Sequence, residues 1–346
     1  MSTTSAPRPR HRLAALAAVV VLALSGCGLR LETPEPTEPS PDAAETLRSS
    51  SVADALALAD GAGQLLTDAD TAVATVLALV HDAATDQAEQ LGGVYDSGLP
   101  EPTPSPSAST AGLSGTDELL TLLGSSAVRA RSDALSATDP QMARLLAVIA
   151  AARAQQAVQL AGALGTDVPA LTADAAPDAE PEPTATDGDG SGSGDGAATS
   201  APAGLDATTL SALTAAEDQA GFGYEVAASR LSGDARADAL ADARAHRARA
   251  EDWAQQAGIS GTSQDPRRVT YSLGGTPADA DAVRTFCAGL ERGLTDVHAD
   301  AVLASGADST DRTVLVDRLR SAAVDLLAWG GTATAFPGMD GLATGS

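Results

Sequence analysis

Apolar residues recur at steps of three and four through most of this chain, the period of an α-helix that buries one side. Towards the C-terminus a first stripe runs Leu210, Leu213, Ala220, Tyr224, Ala228 and Leu231, with Glu217 inside it. A second runs Ala239, Ala243, Ala250, Trp253 and Ala257, with His246 inside it. A third takes Val283, Phe286, Leu290, Leu294, Val297 and Ala301, and a fourth Leu315, Leu319, Ala322, Leu326 and Trp329. Thr276-Pro277 with Asp279 at the capping-box position is expected to open the third helix, and Thr310-Asp311 the fourth. Four amphipathic helices bury their stripes most simply as a four-helix bundle. Upstream, helices are expected over Ser50–Leu66, Asp70–Leu91, Asp117–Ala137 and Pro140–Leu164, the last behind an Asp139 cap and a first-turn proline. The fold class is therefore all-α, with a second, weaker bundle before the first. Two echoes suggest duplication. His81 is followed by Gln90-Leu91-Gly92 much as His246 is followed by Gln255, Ala257 and Gly258, and Thr138-Asp139 echoes Thr310-Asp311.

Proline and acidic residues break this pattern. Residues 28–45 carry Glu32, Pro34, Glu35, Pro36, Glu38, Pro39 and Pro41, a composition that stays extended. Ser97 to Gly112 is a proline- and serine-rich loop, and 166–204 runs through Pro181-Glu182-Pro183 and an Asp/Ser/Gly repeat from Asp187 to Gly194. That repeat resembles a calcium loop only superficially, since the closing Glu is missing, and it reads as linker. The expected organisation is a signal peptide over 1–26, Cys27 with a disordered tether to 45, a helical bundle over 46–165, a disordered linker over 166–204 and a four-helix bundle over 205–341. Of the eight aromatic residues only Tyr95 precedes the long linker. Large rings supply the most burial per residue, so the first bundle is expected to be the less firmly packed.

The first twelve residues hold Arg8, Arg10, His11 and Arg12 and no acid; an apolar run from Leu13 to Leu24 follows, then Ser25-Gly26-Cys27. A cationic start, a short apolar core and small residues before a cysteine describe a lipoprotein signal peptide. The core is shorter than the roughly 20 residues a membrane span requires. Cleavage before Cys27 and acylation of its thiol, with palmitate among the chains, would fix the protein on the outer face of the cell membrane; two chains at ~0.8 kcal/mol per buried methylene make a lasting anchor. The formal charge is −25, and all 21 cationic residues are arginine. Three of those arginines fall in the signal peptide, so the remainder is more acidic still, and binding of nucleic acid through a basic patch is excluded. Cys287 is the single other thiol, in an apolar helical pattern that reads as core.

The run from Leu210 through Ala215-Ala216-Glu217, Gly223-Tyr224, Ala245-His246-Arg247, Thr270-Tyr271-Ser272-Leu273, Leu290-Glu291 and Ala335-Phe336-Pro337-Gly338 resembles an uncharacterised ferritin-like domain family. Its members are lipoproteins and other envelope proteins of high-GC Gram-positive (actinobacterial) bacteria. The resemblance covers about 205–341; it implies a ferritin-like four-helix bundle and carries no established activity.

Active ferritin-like di-metal sites need two helices with one Glu each and two with Glu-x-x-His, all projecting into the core. Glu217 and His246 occupy core positions, and Glu291, with His298, lies on the flank of the third stripe. However, Ala243 stands three residues before His246, Thr295 three before His298 and Ala78 three before His81, and Asp317 and Asp325 fall off the fourth stripe. A di-iron oxidase is therefore not expected. Three readings of Glu217, His246, Glu291 and His298 remain: a paired buried polar cluster, which is the reading taken, a single metal ion such as zinc, or the polar wall of a small-molecule pocket. The expected function is a non-enzymatic binding or interaction module with no cofactor, anchored through Cys27 and meeting another envelope protein. The alternative is a metal-binding protein or metal-dependent oxidoreductase. His81 reads as a satisfied core or boundary histidine rather than a ligand.

Overall fold

The computed structural model describes residues 40–95, 113–171 and 204–339, except 274 and 276. The expected signal peptide, Cys27, most of the tether, the Ser97–Gly112 loop, residues 172–203 of the linker and Thr276 lie outside the described residues. Eight α-helices and no strand occur among those described: α1 (Ala43–Leu65), α2 (Thr71–Gln90), α3 (Thr116–Ser136), α4 (Pro140–Leu164), α5 (Ala207–Ala228), α6 (Gly233–Gln256), α7 (Ala280–Ala304) and α8 (Thr310–Ala328). The all-α expectation holds.

Short polar side chains set most of the helix starts. Asp42, Asp70, Asp139, Asp206, Asp279 and Ser309 each accept a hydrogen bond from a backbone N–H of the first turn. Each such cap is worth about 1 kcal/mol. They also explain where the sequence-based boundaries differ from the observed ones. Asp42 starts α1 seven residues before Ser50, inside the expected tether. Asp279 itself, not Thr276-Pro277, starts α7, and Ser309 rather than Thr310-Asp311 caps α8. The Gln-Leu-Gly echo is a helix stop used twice. Gly92 and Gly258 both take positive φ, and each amide donates to the carbonyl three residues back.

The two sets of four helices share one plan. Short turns join the first helix to the second (66–70 and 229–232) and the third to the fourth (137–139 and 305–309), while 91–115 and 257–279 are long connections. Packing pairs the first helix with the second, the third with the fourth and the first with the third in both sets. They differ on the remaining side. In the first set α2 packs on α4 and closes the square; in the second α6 and α8 scarcely touch.

Sequence composition predicts two bodies on a flexible linker. The structure instead packs both sets into one compact unit through α4. One apolar cluster runs from Leu146 and Ile149 of α4 to Leu315 and Leu319 of α8 and to Phe336. Helix α4 is buried on almost every face because the first bundle covers one side and α7 and α8 the other. Polar stitches add direction. Arg131 of α3 makes a two-pronged pair with Asp317 of α8 at 2.7 Å, Gln155 Nε2 donates to the Ala323 carbonyl at 2.5 Å, and Gln87 Nε2 donates to the Ala335 carbonyl at 3.2 Å. Arg312, fully buried, donates to the Ala137 and Leu135 carbonyls at the end of α3 and to Ser305 at the end of α7. The two helix C-termini supply the partial negative charge that a buried guanidinium needs. Gly338, in the resembled closing motif, has φ +83°, and a Cβ there would strike the Thr295 carbonyl of α7. The turn after Phe336 therefore lies flat against the helix that carries the site.

Candidate functional site

Three helices of the second bundle bring the sequence-predicted residues together. Glu217 projects from the middle of α5, His246 from α6, and Glu291 and His298 from α7, all essentially buried. His246 Nδ1 lies 2.7 Å from one Glu217 oxygen, and its Nε2 lies 3.3 Å from Glu291. His298 Nε2 reaches the other Glu217 oxygen at 3.2 Å, and Arg249 Nε donates to Glu217 at 3.0 Å. Tyr224, stacked on the His246 ring at 5.2 Å between centroids, donates its hydroxyl to Glu291 at 2.6 Å. A chain Tyr224–Glu291–His246–Glu217–His298 thus crosses the bundle.

Charge follows from this geometry. Burial alone would raise the Glu217 carboxyl, but bonds from His246 and His298 and the charges of His298 and Arg249 hold it well below the carboxylate range. Burial would likewise lower His246; the carboxylates on either side outweigh it and raise the ring, which favours the doubly protonated imidazolium donating to both. Arg249 Nη2 also sits 2.6 Å from His246 Nδ1, where two donors cannot share one proton. The carboxylate bond is the one consistent with the raised ring. Burial, with the nearby Glu291 charge, keeps Tyr224 a phenol, and burial with Glu291 and Asp242 pushes the Cys287 thiol up to about 12. Cys287 is a core residue, packed with Tyr224, Ala243 and Val283.

Among the described residues these four side chains pair with one another. Glu217 uses both oxygens on nitrogen donors, and no group of three His, Cys, Asp or Glu among the described residues is arranged to hold a metal ion. One polar atom of the cluster stays unpartnered among the described residues: His298 Nδ1.

The cluster is also a wall. Where α6 and α8 fail to meet, a cleft of about 400 Å³ opens, lined by Tyr224, Asp238, Asp242, His246, Arg249, Glu291, Asp325 and Trp329. A second chamber of about 150 Å³ shares His246, Arg249, Glu291 and Asp325 with it and adds Glu217, His298, Arg318 and Ser321. Sequence reasoning missed Arg249, Asp242, Arg318 and Asp325. Asp242 and Arg249 stand four residues before and three after His246, which places them on its helix face, a spacing that was available as a signal. Asp325, expected off the stripe, is on the rim; crowding by the cleft walls and then the charges of Glu291 and Asp242 push its carboxyl up to about 6. Asp317, its partner in the sequence argument, is outside the cleft and pairs with Arg131.

Tyr271 and Arg247, both in the resembled motifs, meet on a residue outside them. Asp218, buried beside Glu217, accepts from the Tyr271 hydroxyl at 2.6 Å, from the Arg268 amide at 3.1 Å and from Arg247. It clamps the long 257–279 connection to α5 and α6. His81 is half-exposed, 3.1 Å from Asp82 and against Gly63 of α1, a boundary residue.

A family model described as "Domain of unknown function (DUF4439)" matches residues 209–341. The matched stretch contains all of Glu217, His246, Glu291 and His298. No curated protein and no solved structure matches the chain.

Proposed function

We propose that this chain is a lipid-anchored, extracytoplasmic binding protein without catalytic activity, whose second bundle holds a small polar solute in the cleft between α6 and α8. The observation that carries the reading is the unclosed fourth side of that bundle. A square of helices would bury these side chains; here the gap is a concave site with convergent charged groups and two aromatic rings, of the size that small ligands occupy. The site contains no activated nucleophile, since Cys287 is held as a thiol and Tyr224 as a phenol. A metal held by the Glu217–His246–Glu291 cluster is not supported, because the Glu217 oxygens face histidine and arginine donors and Glu291 faces Tyr224 and His246.

The ferritin-like reading is supported by the pairing of helices around a single long connection, residues 257–279. The anchor rests on the Leu24-Ser25-Gly26-Cys27 sequence, and no helix of the described residues is long and apolar enough to cross a membrane. Cys27→Ser is expected to release the protein from the membrane fraction without altering its circular dichroism; a variant that stays attached contradicts the anchor.

Binding is tested by saturation-transfer NMR on the mature, unlipidated chain with a library of small polar solutes. Saturable binders are expected, and Trp329→Ala with Asp242→Ala should remove them. A library with no binder, or binders indifferent to both substitutions, contradicts the reading.

A further inference from the structure

Charge is sorted along the cleft rather than mixed. On α8 the facing positions are Arg318, Ser321, Asp325 and Trp329; on α6 they are Arg249, His246, Asp242 and Asp238. Arg318 to Asp325 is seven residues and so is Arg249 to Asp242, about 10 Å along either helix. The two guanidiniums therefore share one end of the groove, and the carboxylates share the middle, towards Trp329.

Each end has a charged group with no bonded counter-charge. Among the described residues, Asp242 and Asp325 make no side-chain hydrogen bond or ion pair with protein, while Glu291, bonded to Tyr224 and His246, adds a third negative charge beside them. Arg318 likewise has no hydrogen-bond or ion-pair partner among the described residues; Arg249, itself paired with Glu217, crowds it with a like charge, which Glu217, Asp252 and Asp317 offset from a distance. The smaller chamber at that end is also lined by Ser321 and by His298, whose buried Nδ1 has no hydrogen-bond partner among the described residues. At the carboxylate end the Tyr224 and Trp329 rings stand 5.7 Å apart in the wall, an environment that attracts an ammonium group.

We infer that the solute is a small zwitterion of the amino-acid type, its ammonium placed among Asp242, Glu291 and Asp325 and its carboxylate against Arg249 and Arg318. This rests on the α6–α8 cleft being the binding site. A plain cation would leave Arg318 without a bonded partner, and a plain anion would leave Asp242 and Asp325 without one. Only a ligand with both charges relieves both ends.

The test is isothermal titration of the full mature chain with glycine, 4-aminobutyrate and 6-aminohexanoate, each against amine-only and acid-only analogues such as hexylamine and hexanoate. At least one zwitterion is expected to bind saturably and at least tenfold more tightly than either analogue. Arg318→Gln should weaken that zwitterion at least fivefold while sparing the amine, and Asp325→Asn should weaken it while sparing the acid. Both residues lie at the cleft rim, where circular dichroism should show the fold unchanged. Hexylamine or hexanoate binding as well as the zwitterion overturns the inference and leaves the cleft a binding site, as does a library that yields binders with none of the zwitterions among them. A library without any binder overturns the underlying reading instead.

Discussion

The two bundles share helix pairing and connection pattern, yet one is closed and the other open, and the residues in their centres account for the difference. In the first, α2 and α4 meet across Gln87 and Arg153. The guanidinium is fully buried and pushed down to about 10 by that burial, but it is wrapped by the Ser51 and Ser126 carbonyls, the Gln87 side chain and, at 3.6 Å, Asp54. The rest of that core is built from leucine, valine and alanine, including Leu58, Leu77, Leu123 and Leu160. In the second, the corresponding side has Asp242 on α6 facing Asp325 on α8, with Glu291 between; neither aspartate is bonded to a cation, and His246 and Arg249 offset their charge only in part. Like charges in a partly desolvated gap hold helices apart as surely as a large side chain would. A bundle can therefore be kept open by what it leaves unneutralised, provided something else supplies the stability. Here α4 supplies it, by burying its far side against α7 and α8.

Glu217→Ala should show the largest effect, since it strands His246, Arg249 and His298 beside one another in a buried site. A loss of about 3–5 kcal/mol in urea unfolding is expected. The same group sets the pH window. Glu217 is depressed, so its contribution is present above its unfolded value of ~4.3 and lost as pH falls; His246 is raised, so its contribution is present below ~6.5 and lost as pH rises through its folded value. Thermal unfolding should peak between about pH 5 and 6.5, and Glu217→Ala should flatten both limbs. A variant that keeps the peak would show that the cluster does not hold the second bundle.

Arg312→Met comes next. It removes the donor shared by the ends of α3 and α7, at a cost of about 2–3 kcal/mol, and should affect both bundles together rather than one. Unequal loss of hydrogen-exchange protection in the two would separate what the structure joins. Tyr224→Phe deletes one donor to Glu291 and should cost about 1–2 kcal/mol with little change of shape.

The smallest effect is the most specific to openness. Asp325 has a raised carboxyl, so in its charged form it opposes folding above about 6 and ceases to do so as pH falls towards its unfolded value. Asp325→Asn should stabilise slightly at pH 7, by up to about 0.5 kcal/mol, and by nothing at pH 4. Destabilisation at pH 7 would mean that the carboxylates are not holding the cleft under repulsion.

Much of this is legible in the chain. Three- and four-residue periods mark the helices, and the placement of Glu217 and His246 within apolar stripes marks the buried cluster, because a helix face is a property of spacing alone. What spacing does not reveal is the partner of each face. The continuous run from Leu145 to Ala152 is apolar on every side, a sign that α4 is covered twice, but by period alone it passes for one stripe of an ordinary bundle. Nor does a period distinguish Asp317 from Asp325; both sit beside the fourth stripe, and only the position of α3 sends one to Arg131 and leaves the other in the cleft. Helix starts shift for a simpler reason, since Asp42 and Ser309 cap as well as the residues expected in their place.

The most direct test of the account, that a closed bundle braces an open one within a single body, is cleavage of the chain between residues 187 and 194 at an introduced protease site, followed by size-exclusion chromatography under native conditions. The two pieces are expected to elute together and to unfold in one transition, held by α4 and by Arg131, Gln155 and Arg312. Two separate peaks, each with its own unfolding transition, would contradict it.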